Sequence, residues 1–273
     1  MPLLTPNEVW HSSPVTRIPV WLLQLPIAHR GLHDVAHAIA ENSLPAFWAA
    51  ARAGYPIEFD VRLLADGEVV VFHDRHLDRL TSATGPIAAR TSEEIASLTL
   101  LGASIGDDPK REDARIPLLR DVLELIGGAI PLLIEIKNEG GVGELEAATV
   151  AALEGYNGPF AIQSFNPDTV RWWRDVAPGV TRGLLAGDFR HEPVDDATRR
   201  RLQNMEDLAA CEPDFIGYDI RLLPFERVAN ERKAGRPVIG WTARTRDEAV
   251  HALEHCDNVI FEGFDASKLR SAS

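Results

Sequence analysis

PIEFDVRLLADGEVVVFHD, residues 56–74, holds two strand-like runs joined by a tight turn, and the architecture follows from it. Its first half, Ile57–Leu63, is apolar except for Glu58, Asp60 and Arg62 at alternate positions. Side chains along a strand repeat their direction every second residue, so Glu58 and Asp60 point the same way. Ala65-Asp66-Gly67 is a tight-turn signal, and Val69–Phe72 is a second strand-like run that closes on His73-Asp74. Carboxylates set into a greasy strand are costly to bury unless they are paired or bind a metal.

The same pattern recurs on either side. Ile27-Ala28-His29-Arg30-Gly31 places charge at the end of an apolar run, and Leu133-Ile134-Glu135-Ile136-Lys137 puts Glu135 and Lys137 on one strand face. With these, the apolar runs Ile27–His29, Ile57–Leu63, Pro131–Lys137, Phe160–Phe165, Thr181–Ala186, Phe215–Arg221, Val238–Thr242 and Asn258–Phe261 are the expected strands. Between them lie stretches with helical periodicity: Ser43–Ala53, Leu118–Ile126, Gly143–Leu153, Pro167–Val176, Ala197–Cys211, Phe225–Ala234 and Arg244–His255. This alternation predicts an α/β TIM (β/α)8 barrel, one domain over residues 1–273. No Gly-rich dinucleotide loop supports the rival, a doubly wound open sheet. Residues of about 65–116 break the rhythm and are expected to be a hairpin extension plus an inserted surface loop, with the charged run Asp107–Asp113 solvated.

Bulk properties exclude some function classes. A net charge of −13 argues against binding nucleic acid, which needs a basic surface. It leaves room for a small phosphate ligand, because a metal and Arg can reverse the sign within one cleft. The two cysteines, Cys211 and Cys256, lack metal-ligand spacing and read as buried or semi-buried thiols in a reducing compartment. The N-terminus has no basic leader, and prolines interrupt the apolar stretch around Val20–Ile27. No signal peptide, no stable membrane insertion and a cytoplasmic location are therefore expected.

In a barrel the carboxyl ends of the strands line the active mouth. His29 ends the first strand, Asp60 lies late in the second, Glu135 and Lys137 end the third, and these consecutive strand ends should be neighbours. Glu58, Asp60 and Glu135 offer oxygen ligands only, which suits a hard divalent ion, Mg2+ or Ca2+. His29 and His73 come from separate segments and suit an acid–base pair. Arg30 and Lys137 would neutralise an anion, Arg as a planar fork and Lys as a point charge. A competing zinc stripe of His29, His33 and His37 would require a helix through Arg30-Gly31 directly after a strand. His33, His37 and His76 are otherwise read as packed or surface residues.

As an ordered set these segments resemble the glycerophosphodiester phosphodiesterase family: H-R-G (29–31), E-N-S (41–43), E-F-D (58–60), D-G (66–67), V-V-V-F-H-D (69–74) followed by Leu77, Arg79 and Thr81, then E-I-K (135–137). Ile116-Pro117-Leu118-Leu119 is similar to the family's Pro-x-Leu helix entry, and Ser164-Phe165 to its Ser-Phe strand end. The resemblance is strongest over residues 27–137. It implies a TIM barrel in which Glu58, Asp60 and Glu135 hold a divalent metal, His29 and His73 are the general acid/base pair, and Arg30 and Lys137 contact phosphate. It also implies that Glu41 and Asn42 shape the site and that Trp241 lines the substrate cleft. The small-molecule substrate would be a glycerophosphodiester, cut to sn-glycerol 3-phosphate and an alcohol. Asp219 and Arg221, read as alternating on one strand, could meet the substrate's polar end. Two departures stand out: Ala40 replaces a usual Pro, and Glu262 lies where many members have a Thr-Asp pair. Two alternatives remain: a lysophospholipase D or sphingomyelinase D-like enzyme, whose apolar track could be Leu222, Leu223 and Phe225, and a catalytically silent phosphodiester-binding barrel.

Overall fold

The computed structural model describes residues 18–101, 115–138, 141–190 and 194–272. The charged run Asp107–Asp113 and the first 17 residues lie outside the described residues. Contacts divide the chain into a unit of Ala28–Phe160 and a unit formed by Ala161–Ser273 with the segment before Ala28.

The first unit is built on β2 (Ile57–Leu63), the quoted strand. β1 (Ile27–His29) and β4 (Leu132–Ile136) pair with it in parallel, in registers that oppose His29 to Glu58 and Asp60 to Glu135. The first six residues of β2 and all of β4 are buried. Burial of both faces explains the nearly unbroken apolar sequence of β4, in which Glu135 is the one charged residue. β3 (Val69–Val71) folds back antiparallel on β2, with Val61 opposite Val71, as the Asp66-Gly67 turn predicts.

The helix Leu44–Ala53 starts where Ser43 Oγ accepts from the Ala46 amide and stops at Gly54, which takes the left-handed conformation. This helix lies against Gly31 (φ +78°), where a Cβ would come 2.7 Å from the Ala46 backbone. The glycine of His-Arg-Gly is thus required by close approach as well as by conformation.

The insertion differs from the expected surface loop. It contains a short helix, Ser92–Ile95, with a Thr91/Glu94 capping box, and 3-10 turns at Leu77–Arg79 and Ile87–Ala89. Leu77, Leu80, Ile87, Ile95 and Leu100 bury against Leu64, Val70, Phe72 and Leu118, giving the segment a core of its own. Its apolar residues follow neither helix nor strand periodicity, so pattern alone reads it as loop.

The second unit contains β5 (Phe160–Ser164, its first residue at the boundary), β6 (Arg182–Ala186), β7 (Phe215–Asp219), β8 (Val238–Ala243) and β9 (Asn258–Phe261), paired in parallel in that order. The single expected helix Ala197–Cys211 is two, Asp196–Gln203 and Leu208–Cys211. Between them Met205 adopts φ +53°, which no right-handed helix accommodates. Cys211 and Cys256 are buried free thiols in one apolar cluster, and burial pushes them up to about 11 and about 12. Across both units the described residues hold eight parallel strands and the antiparallel β3, the complement of a (β/α)8 barrel with one hairpin strand.

Candidate active site

The site in the first unit is assembled by strand register. Pairing Asp60 with Glu135, and His29 with Glu58, brings together the three acidic residues of the quoted motifs. Glu58, Asp60 and Glu135 are buried, and one carboxylate oxygen of each lies within 4.8 Å of the other two. Two residues in left-handed backbone, Arg30 (φ +53°) and Asn42 (φ +54°), turn onto them. The Asn42 amide nitrogen donates to Arg30 O (3.1 Å), which locks the His-Arg-Gly and Glu-Asn segments together.

Asp60 meets Asn42, Arg30 and Lys137. Asn42 Nδ2 donates to its Oδ2 (2.8 Å), Arg30 Nε lies 3.2 Å from Oδ2, and Lys137 Nζ lies 3.3 Å from Oδ1. Burial alone would raise this carboxyl, but Lys137, His73, Arg30 and the Asn42 amide outweigh it and hold it well below the usual carboxylate range. Glu58 goes the other way. Burial, with the like charges of Asp60 and Glu135, pushes it well above its ordinary value. Its Oε2 accepts from the Arg30 amide (3.3 Å) and lies 3.9 Å from His29 Nε2. Lys137 Nζ also reaches Glu135 Oε1 (2.5 Å); burial disfavours its charge, but Glu135 and Asp60 raise it above the ordinary lysine value.

Among the described residues, the buried oxygens Asp60 Oδ1 and Glu135 Oε1 accept no hydrogen bond beyond their ion pairs with Lys137. An all-oxygen donor set with such oxygens aimed into one space fits a hard divalent cation. Arg30 and Lys137 are the cations that pair with these carboxylates.

A second layer reaches His73. Arg30 Nη1 donates to Glu41 Oε1 (2.6 Å). Arg79 donates to both oxygens of Glu41 (2.8 and 2.9 Å) and, through Nε and Nη2, to both oxygens of Asp74 (2.7 and 2.8 Å). Asp74 Oδ1 meets His73 Nδ1 at 2.6 Å, and Arg62 donates from Nε and Nη2 to the His73 carbonyl (2.9 and 2.6 Å). Burial raises Glu41, but Arg79 and Arg30 prevail and bring it down to about 2. Asp74, Arg79 and Arg62 lie outside the sequence-derived set. Their signals were the Asp after His73, the Arg at position 79 of the motif, and the third alternate charge of β2.

Other expected residues fall elsewhere. No helix runs through Arg30-Gly31, both of which have positive φ, so the four-residue stripe of His29, His33 and His37 does not form. His37 is an exposed residue of a 3-10 turn, hydrogen-bonded to Asp34 (2.7 Å). In the second unit, Trp241 packs edge-on against Phe165 at 5.4 Å, and its buried Nε1 has no hydrogen-bond partner among the described residues. Gly187 leaves room for that indole, since a Cβ there would come 2.9 Å from it. Asp219 and Arg221 do not alternate on one strand. β7 ends at Asp219, whose carboxylate caps the turn Ile220–Leu222 and pairs with Arg221 (2.6 Å). The cap pulls Arg221 out of the ladder. Leu222, Leu223 and Phe225 pack against the core of the second unit, with Phe225 stacked on Tyr218 (5.7 Å). Glu262 pairs with Arg244 (2.8 Å).

The sequence pattern of the glycerophosphoryl diester phosphodiesterase family matches residues 29–261. The chain belongs to this family. A glycerophosphodiester phosphodiesterase of Caldanaerobacter subterraneus subsp. tengcongensis is 31% identical over 236 residues, 84% of this chain and 90% of the relative. A phosphodiesterase of Oleispira antarctica, solved with the product sn-glycerol-3-phosphate, superposes with a TM-score of 0.72 at 25% identity, covering 88% of this chain and 93% of the other. A Silicibacter pomeroyi structure of the same fold gives a TM-score of 0.72 at 24% identity, covering 88% and 90%. The glycerophosphoryl diester phosphodiesterase fold is the TIM barrel, and this chain has it. Family membership makes the protein an enzyme, a phosphoric diester hydrolase. Dependence on a divalent metal is general in the family. No helix among the described residues is long and apolar enough to cross a membrane.

Proposed function

We propose that this enzyme hydrolyses glycerophosphodiesters to sn-glycerol 3-phosphate and an alcohol, using His29 and His73 as the proton-transfer pair. The observation that carries this reading is the convergence of Glu58, Asp60 and Glu135 within 4.8 Å beside Arg30 and Lys137. The three carboxylates would hold a divalent ion, Mg2+ or Ca2+. Such an ion, when bound, polarises a phosphoryl oxygen and draws off developing charge. Arg30 and Lys137 bind the remaining phosphate oxygens and share that charge in a site shielded from water. One imidazole takes the proton of the attacking oxygen while the other protonates the departing alcohol. Asn42 fixes Asp60. The reaction would belong to lipid and glycerol metabolism in the cytoplasm.

The test is release of glycerol 3-phosphate from a panel of glycerophosphodiesters with added Mg2+ or Ca2+. Turnover is expected to vanish after chelation with EDTA and to return when the ion is restored. Full activity in thoroughly stripped protein would overturn the assignment.

A groove of about 620 Å3 favours a second reading. Leu63, Leu64, Ala65, Leu145 and Ala148 line it together with Lys137 and Asn138. It could take the acyl chain of a lysophospholipid whose phosphate meets Lys137. Choline release from lysophosphatidylcholine exceeding that from glycerophosphocholine would support it. Binding without any turnover would instead support a silent barrel.

A further inference from the structure

We propose that Asp74 and Arg79 are positioning residues for His73: Arg79, clamped on Glu41, holds the Asp74 carboxylate against Nδ1 and so presents Nε2 for proton transfer. This rests on the reading of His73 as a proton-transfer group.

A neutral imidazole has one N–H, and the hydrogen bond at one ring nitrogen decides which nitrogen carries it. Asp74 Oδ1 lies 2.6 Å from Nδ1. Arg79 and His73 hold the Asp74 carboxyl well below the usual range against the effect of burial, so it is ionised at neutral pH and can only accept. Nδ1 must therefore donate, and the neutral ring exposes a lone pair at Nε2. Arg62 fixes the same residue from the main chain through its bonds to the His73 carbonyl. Backbone and ring are thus anchored independently.

Arg79 suits this task by shape. One planar guanidinium forks onto both oxygens of Asp74 and onto both oxygens of Glu41. An ordinary half-exposed ion pair contributes little, but doubly bidentate contact restricts rotation of Asp74, and that restriction is what orients the imidazole. Glu41 also accepts from Arg30 Nη1 (2.6 Å), and Arg30 contacts Asp60. Glu41 therefore ties the frame of the histidine to that of the phosphate-binding arginine.

The experiment compares wild type, His73→Ala, Asp74→Asn, Asp74→Ala, Arg79→Ala and Arg79→Lys in Mg2+, using glycerophosphocholine turnover and 15N NMR of the His73 ring. Asp74→Ala is expected to lower kcat about 100-fold, within the usual worth of a general acid or base, with KM changed less than about threefold. Arg79→Ala should cost about tenfold, and Arg79→Lys should recover part of that, since Lys restores a charge on Asp74 without the fork. The wild-type ring should carry its proton on Nδ1, and Asp74→Asn, nearly isosteric, should shift it toward Nε2. If His73→Ala abolishes turnover while Asp74→Ala and Arg79→Ala keep kcat and Asp74→Asn keeps the wild-type tautomer, the positioning role is refuted and the catalytic reading survives. If His73→Ala turns over like wild type, both fall.

Discussion

The strand ends of β2 and β4 and the strand end of β7 each bury carboxylate, yet they balance it differently. At β7, Asp219 is 1% exposed and has its own arginine two residues on, Arg221, which is 65% exposed. Asp188 is matched in the same way by Arg190. At β2 and β4, Glu58, Asp60 and Glu135 share Arg30 and Lys137, and Arg30 is also drawn to Glu41. Among the described residues of that cluster, carboxylates outnumber the lysine and arginine cations. A matched pair can be part of the scaffold. A buried excess of negative charge is costly unless a further cation is bound, and it is tolerated where function requires it. This difference separates the proposed metal site from an ordinary strand-end ion pair.

Breaking the crowded cluster should give the largest effect. Glu135→Gln and Glu58→Gln, which keep shape and remove charge, are expected to reduce kcat about 1,000-fold or more in a glycerol 3-phosphate release assay, with the fold retained by circular dichroism. Wild-type turnover in either would remove that residue from the mechanism.

Acidification sharpens the comparison with a medium effect. Glu41 titrates at about 2 in the folded protein against an ordinary 4.5. The unfolded chain binds the proton first, so this stabilisation is fully present above the ordinary value and is lost as pH falls through about 2. It amounts to at most about 3 kcal/mol. The stability difference between wild type and Glu41→Gln, followed by urea unfolding, should therefore shrink from pH 6 toward pH 2; a constant difference would show that Glu41 is not held by Arg79 and Arg30.

The matched pair should give the smallest change in function. Arg221→Gln leaves Asp219 buried with less compensation and is expected to lower stability by about 1–3 kcal/mol while kcat and KM stay within about twofold. A large rise in KM would instead make Arg221 a substrate contact.

Much of the fold was legible because strand periodicity and turn chemistry are local. Ile57–Leu63, the Asp66-Gly67 turn and the return of Val69–Val71 lie where the pattern puts them. The insertion was not legible, because Leu77, Ile87 and Ile95 bury through contacts far apart in sequence. Nor was the break near Met205 or the departure of Arg221 from the β7 ladder, where a cap and a left-handed residue override helix and strand patterns.

For the site, residue order alone specifies which groups are available: alternate charges in apolar strands, histidines at segment ends, and an ordered motif set. It could not decide how they are shared. The register Asp60 opposite Glu135, the sharing of Lys137 between those two acids, and the run of contacts from His73 through Asp74, Arg79 and Glu41 to Arg30 belong to the tertiary structure. Alternation along a strand is a property of the backbone, whereas the partner of a buried charge depends on what long-range packing brings within a few ångströms of it.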